Sequence, residues 1–265
     1  PSRPDTYRQE FIYELANVSD VYINCAFGCS HRVTKSIKLL PQMMRQKGKL
    51  VVAGVLLYEE INRIGKFAGR ILSQPKKTLV VAGGAKISDK IEVLKQFVLT
   101  GVKSILIGGK MANAFLLAQQ QKELIQPFHT DKIPAKLLSQ KVQENEELLK
   151  EINLAEEIIE LAEINKVALI FPDDYKVVSD YQSTIFENKV TPDFSKELQL
   201  DLGEKTINQF EDLFKDIKNV FWNGPLGAYD HPACSYYAEG SLELAKLLFQ
   251  MALIDSKLSV VIGGG

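Results

Sequence analysis

The sequence predicts an α/β fold: a Rossmann-like parallel sheet with helices on both faces, together with part of a second α/β domain. Short β-branched runs alternate with longer amphipathic runs, which is the pattern of consecutive βαβ units. Several of the short runs end in glycine. Hydrophobic residues make up 46% of the 265 residues and charged residues 25%, so there is enough apolar surface for a packed core.

The N-terminal quarter of the sequence is predicted to contain both helices and a strand. Its predicted elements are a helix over 5–17, a strand over 20–24, a polar loop over 28–36 and a helix over 54–72. We interpret residues 1–50 as the end of an N-terminal domain. Residues 51–74 are interpreted as a helical connection to the next domain.

A Pro-Lys-Lys turn opens a larger α/β domain over residues 75–265. Its predicted strands lie at 78–82, 103–107, 166–170, 219–222 and 258–262. Its predicted helices lie at 86–99, 110–120, 136–163, 204–217 and 235–254. The alternation predicts a mainly parallel sheet, because parallel strands need a crossover connection.

Charge and cysteine content restrict the protein class. The net charge is −1, so no basic excess indicates a nucleic acid or an anionic membrane surface as partner. The longest apolar runs are too short to span a bilayer. Three cysteines fit a reducing compartment, and we expect a cytoplasmic protein. The chain begins with Pro and ends in a strand and three glycines, so we expect an internal stretch of a longer protein.

Four predicted strands run into glycines, after residues 82, 107, 223 and 262. In a parallel sheet these loops lie at the carboxyl edge, where α/β sheets bind ligands. Glycine permits close backbone approach, and the following helix offers free N–H groups to phosphate. A single such turn is also a simple tight connection, but four favour a phosphate-bearing ligand. None matches the GxxxxGK[ST] or GxGxxG nucleotide motifs.

Lys86 and Lys90 follow the first glycine pair at a spacing of four residues. If the predicted helix begins at residue 86, both lie on one helical face, directed back toward the loop. Lysine is a flexible point charge suited to a moving phosphoryl group. The alternative is a solvated face on which these lysines pair with Asp89 or Glu92.

Five ordered stretches resemble phosphoglycerate kinases and together cover essentially the whole chain. GGAKISDKI resembles the nucleotide-phosphate loop of that family, IGGKMA its adenine-side glycine loop, and WNGPLGAYD its adenosine loop. VYINCAFGCSHR resembles the segment at the end of the N-terminal domain, and the final IGGG the start of the last nucleotide loop. They lie at 83–91, 107–112, 222–230, 21–32 and 262–265.

The resemblance implies a hinge-bending enzyme, expected to be a monomer. Such an enzyme transfers a phosphoryl group between 1,3-bisphosphoglycerate and ADP, giving 3-phosphoglycerate and ATP in glycolysis, with Mg²⁺ accompanying the nucleotide. Residues 1–50 then correspond to the end of the substrate domain, and residues 75–265 to a nucleotide domain that is incomplete at its C-terminus. The implied partners are these small molecules, with neither nucleic acid nor membrane.

The resemblance also implies roles for individual residues. Catalytic roles fall on Lys86, Gly264 and Gly265. Nucleotide-binding positions are Gly83, Gly84, Ala85, Lys86, Lys90, Gly108, Gly109, Leu200, Asn223, Pro225, Gly227, Asp230, Gly264 and Gly265. Among these, Leu200 would pack on the adenine and Asp230 would accept hydrogen bonds from the ribose. Arg32 and His31 would belong to the basic patch for the substrate. The metal-binding Asp of the family would follow Gly265.

Several positions depart from the family pattern. Cys25 stands where the family usually has Asp, Thr34 where it has a second His, and Lys110 where it has a third glycine. Asp230 replaces a Glu. Two alternatives to an active kinase therefore stay open: a catalytically impaired relative or fragment that only binds adenine nucleotide, and an unrelated α/β nucleotide-binding module. If the chain is a fragment, we expect it to be inactive alone.

Three further features have simpler interpretations. Trp222 is predicted in the core rather than as a stacking platform. The acidic stretch 144–152 is predicted as the solvated face of a long helix. Asp174 follows a strand at the ligand edge, where either a capping or a functional role is open.

Overall fold

The computed structural model describes residues 5–121, 146–190, 192, 197–232 and 234–263. Its contacts divide the chain into two units, Pro1–Gly69 and Arg70–Gly265. Within the described ranges, no helix is both long and apolar enough to cross a membrane.

The first unit contains a parallel pair of strands beside two packed helices. Its elements are α1 (Asp5–Val18), β1 (Val21–Asn24), α2 (Leu40–Gln46), β2 (Leu50–Ala53) and the start of α3 (Val55–Ser73). Ile12 and Ala16 of α1 are buried against Met43 and Met44 of α2. This apolar contact fixes α2 and the π-helical turn Lys35–Leu39 that precedes it, so the predicted polar loop over 28–36 becomes helical from Lys35.

The connecting segment differs from its prediction at the N-terminal end. Leu50–Ala53 form β2, which pairs in parallel with β1, so the predicted connection over 51–74 is helical only from Val55. The β-branched pair Val51 and Val52 suits a strand, and the helix starts after Gly54. The predicted helix over 54–72 is confirmed as α3.

The second unit contains one parallel and one antiparallel sheet. Its strands are β3 (Thr78–Ala82), β4 (Ser104–Ile107), β5 (Ala168–Ile170), β6 (Tyr175–Val178), β7 (Glu187–Lys189), β8 (Leu198–Leu202), β9 (Asn219–Asn223) and β10 (Ser259–Gly263). Its helices are α4 (Ile91–Thr100), α5 (Ala112–Gln121), α6 (Glu146–Ile164), α7 (Glu204–Asn208), α8 (Phe210–Leu213), α9 (Cys234–Tyr237) and α10 (Glu239–Ile254). The parallel sheet has the order β10-β9-β3-β4-β5, which confirms the predicted parallel arrangement.

Helices cover both faces of the parallel sheet, as predicted. On one face, buried strand residues such as Val220 and Trp222 form a core with Phe210 of α8 and Leu244 of α10. Alternate residues of a strand point to opposite faces, and Phe221 contacts Phe97 of α4, with ring centroids 4.9 Å apart. α6 packs against both α4 and α5. Trp222 is therefore a core residue, as predicted.

The antiparallel sheet was not predicted. β6 lies between β7 and β8 and pairs with both. These strands are three to five residues long, and Lys176 interrupts the apolar pattern of β6. Its buried ammonium group pairs with Glu239 and lies 4.7 Å from the Phe186 ring centroid. Because this buried position carries a charged side chain, the hydrophobicity pattern does not predict the strand.

Three predicted helices differ in their bounds. The helix predicted over 86–99 begins only at Ile91, because residues 83–90 form a loop that ends in a turn. The helix predicted over 204–217 is the short pair α7 and α8, and the one over 235–254 is interrupted between α9 and α10. The first part of the helix predicted over 136–163 lies outside the described residues.

Candidate functional site

The glycine-bearing loops meet at the carboxyl edge of the parallel sheet. The Gly83 amide donates to the Asn223 carbonyl at 2.9 Å, and the Gly109 amide donates to the Leu226 carbonyl at 3.2 Å. These bonds join the loops that follow β3, β4 and β9. The central strands of the sheet thus bring Gly83, Gly109 and Asn223 together as the sequence predicts.

Glycine is required at these positions because the neighbouring loops pack closely against them. A Cβ at Gly83 would lie 2.1 Å from the Pro225 carbonyl oxygen, and one at Gly109 would lie 2.6 Å from the Gly84 nitrogen. Gly224 has φ +90°, a conformation that favours glycine. The backbones of three loops therefore pack at distances that no side chain permits. Gly108 is similar, because its Cβ would lie 2.5 Å from Leu226 Cδ2.

Lys90 lies over these loops. It immediately precedes α4, and its Nζ lies 3.3 Å from the position a Cβ at Gly84 would occupy. Its Cε lies 3.2 Å from the corresponding position at Gly224. A helix N-terminus, an ammonium group and the partly exposed backbone of Gly84, Gly109 and Gly224 at one sheet edge form an environment suited to an anion.

Lys86 is directed elsewhere, and the prediction of one shared helical face with Lys90 is wrong. Both residues belong to the loop before α4, so the four-residue spacing does not align them. Lys86 Nζ pairs with Glu147 of α6 and not with Asp89 or Glu92, the partners named in the alternative interpretation. This hydrogen bond raises the pKa of Lys86 and lowers that of Glu147.

Glu151, one helical turn beyond Glu147, holds the same loop. One carboxylate oxygen accepts hydrogen bonds from the amides of Ile87 and Ser88, and the other accepts the Ser88 hydroxyl at 2.7 Å. Glu151 is 9% exposed. The prediction that the acidic stretch 144–152 is simply a solvated face is therefore wrong for Glu151, whereas Glu147 is exposed as predicted, and residues 144–145 lie outside the described ranges. The four-residue spacing of Glu147 and Glu151 was the only sequence signal.

The loop after β9, which is predicted to contact the adenosine, packs against the buried carboxylate of Asp201. The Ala228 amide donates to the Leu200 carbonyl at 2.7 Å, which attaches the loop after β9 to β8. A Cβ at Gly227 would lie 2.3 Å from an Asp201 oxygen. Asp201 accepts the Gly240 amide at 3.0 Å, and burial raises its pKa to about 6. Sequence reasoning missed Asp201, the fourth residue of β8, in which leucines alternate with Gln199 and Asp201.

Aromatic rings surround the loop that carries Asp230. Asp230 itself is exposed. The next residue, His231, is buried, and its ring makes edge contacts with Tyr181 and Tyr237 at centroid distances of 4.6 Å and 4.7 Å. The Tyr237 hydroxyl donates to the Ser183 carbonyl. The loop is thereby fixed while the Asp230 carboxylate stays accessible.

Asp174 has a capping role. Its carboxylate accepts the amides of Lys205 and Thr206 at 3.0 Å and 2.8 Å, at the start of α7. It is 5% exposed and also accepts the Thr206 hydroxyl. Free N–H groups at a helix start require such an acceptor. The structure thus favours the capping alternative for this aspartate.

The remaining predicted nucleotide residues are only partly described. Ala85 and Lys110 are exposed on the loops after β3 and β4. Gly264 and Gly265 lie outside the described residues. Within the described ranges, no group of three or more His, Cys, Asp and Glu side chains is arranged to hold a metal ion.

A separate cleft of about 470 Å³ lies within the first unit. It contains both predicted substrate residues, His31 and Arg32, and sequence reasoning missed Lys38 and Arg45 beside them. None of the described residues that line it carries a carboxylate. Positive side chains without a countercharge make this cleft suited to a small anion.

Known proteins resemble this chain along nearly its whole length. The family model described as phosphoglycerate kinase matches residues 2–265. A phosphoglycerate kinase from Bdellovibrio bacteriovorus is 33% identical over 260 residues, which are 97% of this chain and 56% of that protein. One from Lactobacillus gasseri is 38% identical over 253 residues, which are 94% and 54%. The chain thus spans a little over half the length of these relatives.

Solved structures show the same fold. The phosphoglycerate kinase from Pyrococcus horikoshii OT3 matches with a TM-score of 0.67 at 22% identity, covering 100% of this chain and 59% of that chain. The one from Coxiella burnetii matches with a TM-score of 0.63 at 24% identity, covering 97% and 57%. The fold, the loops at the sheet edge and the matched family model lead to one conclusion: this chain belongs to the phosphoglycerate kinase family.

Proposed function

We propose that the protein of which this chain is part transfers a phosphoryl group between 1,3-bisphosphoglycerate and ADP, giving 3-phosphoglycerate and ATP in glycolysis. The observation that carries the proposal is the meeting of the glycine-bearing loops beside Lys90 at the sheet edge of a family member. Phosphoryl transfer depends mainly on positioning and charge stabilisation, which such a site supplies without an acid or base.

The nucleotide would lie along the carboxyl edge of the parallel sheet. Its phosphates would contact the loop over 83–90, with Lys90 near the nucleotide phosphates and Lys86 near the transferred group. The adenosine would lie toward Leu200 and the loop over 223–227, and its ribose hydroxyls would donate to Asp230. The accessibility of Asp230 and the fixed loop before it support this orientation.

The phosphoglycerate would lie in the cationic cleft of the first unit. This substrate carries a phosphate and a carboxylate, and the described lining contains Arg32, Lys38 and Arg45 without a carboxylate. A guanidinium group binds such groups through two parallel hydrogen bonds. Lys38 and Arg45 would supply positive charge that Thr34 does not.

Further properties belong to the proposal through the family alone. We propose that Mg²⁺ accompanies the nucleotide, that the substrate and nucleotide domains close on each other, and that the protein is a cytoplasmic monomer. Magnesium would screen phosphate charge when bound. The described residues contain no group of three or more His, Cys, Asp and Glu side chains that could hold this ion. The roles proposed here are therefore assigned to protein groups only.

A second candidate is a relative or fragment that binds adenine nucleotide without catalysing transfer. The observation that favours it is the ion pair of Lys86 with Glu147, which engages the predicted catalytic ammonium group. Both candidates predict nucleotide binding, and they differ only in turnover.

Calorimetric titration with ADP, beside a coupled assay of ATP formation from 1,3-bisphosphoglycerate, separates the candidates. The 265-residue chain and the full-length protein should both bind ADP, and the full-length protein should form ATP. Binding without turnover in the full-length protein supports the second candidate. Absence of ADP binding in both would contradict both candidates.

A further inference from the structure

α6 presents two carboxylates to the loop over 83–90. Glu147 and Glu151 are four residues apart, so they lie on one face of the helix, one turn from each other. Both contact the loop, but in different ways: Glu147 engages the side chain of Lys86, and Glu151 engages the backbone at Ile87 and Ser88.

Glu151 fixes the path of the loop. Its carboxylate is buried and accepts three donors, including the buried Ile87 amide. Removal of a buried acceptor leaves its donors unsatisfied, which is costlier than the bond is worth. The turn continues through the Lys90 amide, which donates to the Ile87 carbonyl at 2.8 Å. Glu151 therefore fixes the loop backbone from which the Lys90 side chain extends over the glycine-bearing loops.

Glu147 contacts the loop through an exposed ion pair instead of buried hydrogen bonds. Its side chain is 67% exposed and that of Lys86 is 50% exposed. An ion pair so open to water is weak and exchanges readily with another anion. Its carboxylate accepts a hydrogen bond from one of the three donors of the Lys86 ammonium group, and a phosphate oxygen would compete for the same charge.

We propose that Glu151 is a positioning residue for the phosphate loop and that Glu147 is a built-in competitor, which a nucleotide phosphate must displace from Lys86. The inference rests on the proposed nucleotide site. It has a distinctive consequence: the same substitution at two positions, one turn apart on one helix, changes nucleotide affinity in opposite directions.

The test is titration of the full-length protein with ATP, which carries the phosphoryl group that Lys86 is proposed to contact, using Glu147→Gln, Glu151→Gln and, as a matched control, Glu163→Gln. Glu163 is exposed near the C-terminal end of α6. Glu147→Gln should tighten ATP binding about two- to fivefold, the range of an exposed ion pair. Glu151→Gln should weaken it about tenfold, and the control should leave it unchanged.

Two further measurements separate positioning and competition from a merely structural role. In a Lys86→Ala background, Glu147→Gln should no longer tighten ATP binding, because the ammonium group for which it competes is gone. By NMR, Glu147→Gln should lower the Lys86 pKa, and Glu151→Gln should speed amide hydrogen exchange at Ile87 and Ser88. The control variant should change neither.

The outcomes distinguish this inference from the proposed function. Failure of the wild-type protein to bind ATP would contradict the proposed function. Binding by the wild type with equal affinities for all three variants would overturn the inference. If Glu151→Gln does not fold, Ser88→Ala removes one of the three donors only. It should weaken ATP binding by a smaller factor, and an unchanged affinity would then overturn the positioning role.

Discussion

The amide of Gly83, one residue beyond β3, donates a 2.9 Å hydrogen bond to the carbonyl of Asn223, the last residue of β9. The pairing of the two strands thus continues into the loop after β3, and Gly83 lies directly against the backbone of Pro225. The site is therefore held by backbone contacts that leave no space for a side chain.

Gly83→Ala should destabilise the protein by about 2–3 kcal/mol, because the new Cβ would lie 2.1 Å from the Pro225 carbonyl oxygen. The matched control is Gly65→Ala in the middle of α3, where nothing lies within 4 Å of the added Cβ. That substitution should stabilise by about 0.5–1 kcal/mol through helix propensity. Denaturant unfolding measures both, and an equal effect of the two would refute the loop contact.

Lys86→Ala should lower kcat for ATP formation about 100-fold in the full-length protein while ADP affinity changes much less. A cation that meets charge mainly in the transition state affects turnover more than ground-state binding. Lys246→Ala serves as control, since Lys246 is an exposed α10 residue that pairs with Glu243. Small and equal changes in kcat and in ADP affinity would exclude the catalytic role of Lys86.

Arg32→Lys should weaken apparent affinity for 3-phosphoglycerate about tenfold and leave that for ATP nearly unchanged, because a lysine cannot form the paired hydrogen bonds of a guanidinium group. Arg63→Lys is the matched control, at an exposed α3 position where the arginine pairs with Glu59. Steady-state kinetics with each substrate varied separately measures both. A change confined to ATP would place Arg32 outside the phosphoglycerate site.

Asp201 should make stability depend on pH. Its pKa is raised by burial to about 6 in the folded protein, from 3.8, so the folded state holds the proton more tightly than the unfolded state. This contribution to stability is present below pH about 4 and is lost as the pH rises through 6. The loss is about 3 kcal/mol.

The measurement is the difference in free energy of unfolding between wild type and Asp201→Asn at several pH values. That difference should fall as the pH rises from 4 to 7, because only the wild type carries the titrating group. The control is Asp212→Asn, at an exposed position that pairs with Lys215. A difference that stays constant with pH would show that Asp201 titrates as an ordinary carboxyl group.

The sequence by itself determined the parallel sheet and the edge at which the site lies. β3, β4 and β9 are continuous apolar runs that stop at glycines, and strand formation and chain reversal there depend on residues a few positions apart. Because parallel strands share one carboxyl edge, the approximate meeting of Gly83, Gly109 and Asn223 followed from the topology. The five family-like motifs were also readable, since each is contiguous.

Only the tertiary structure decided how the charged groups pair. Lys86 and Glu147 are 61 residues apart, and no local pattern distinguishes Glu147 from the other acids of α6. The turn before α4 forms because Glu151 accepts the Ile87 and Ser88 amides, and a local periodicity therefore placed the helix start too early. The burial of Lys176 in β6 likewise depends on Glu239. Pairing and burial of charge depend on which surfaces pack together, and that is set by the fold as a whole.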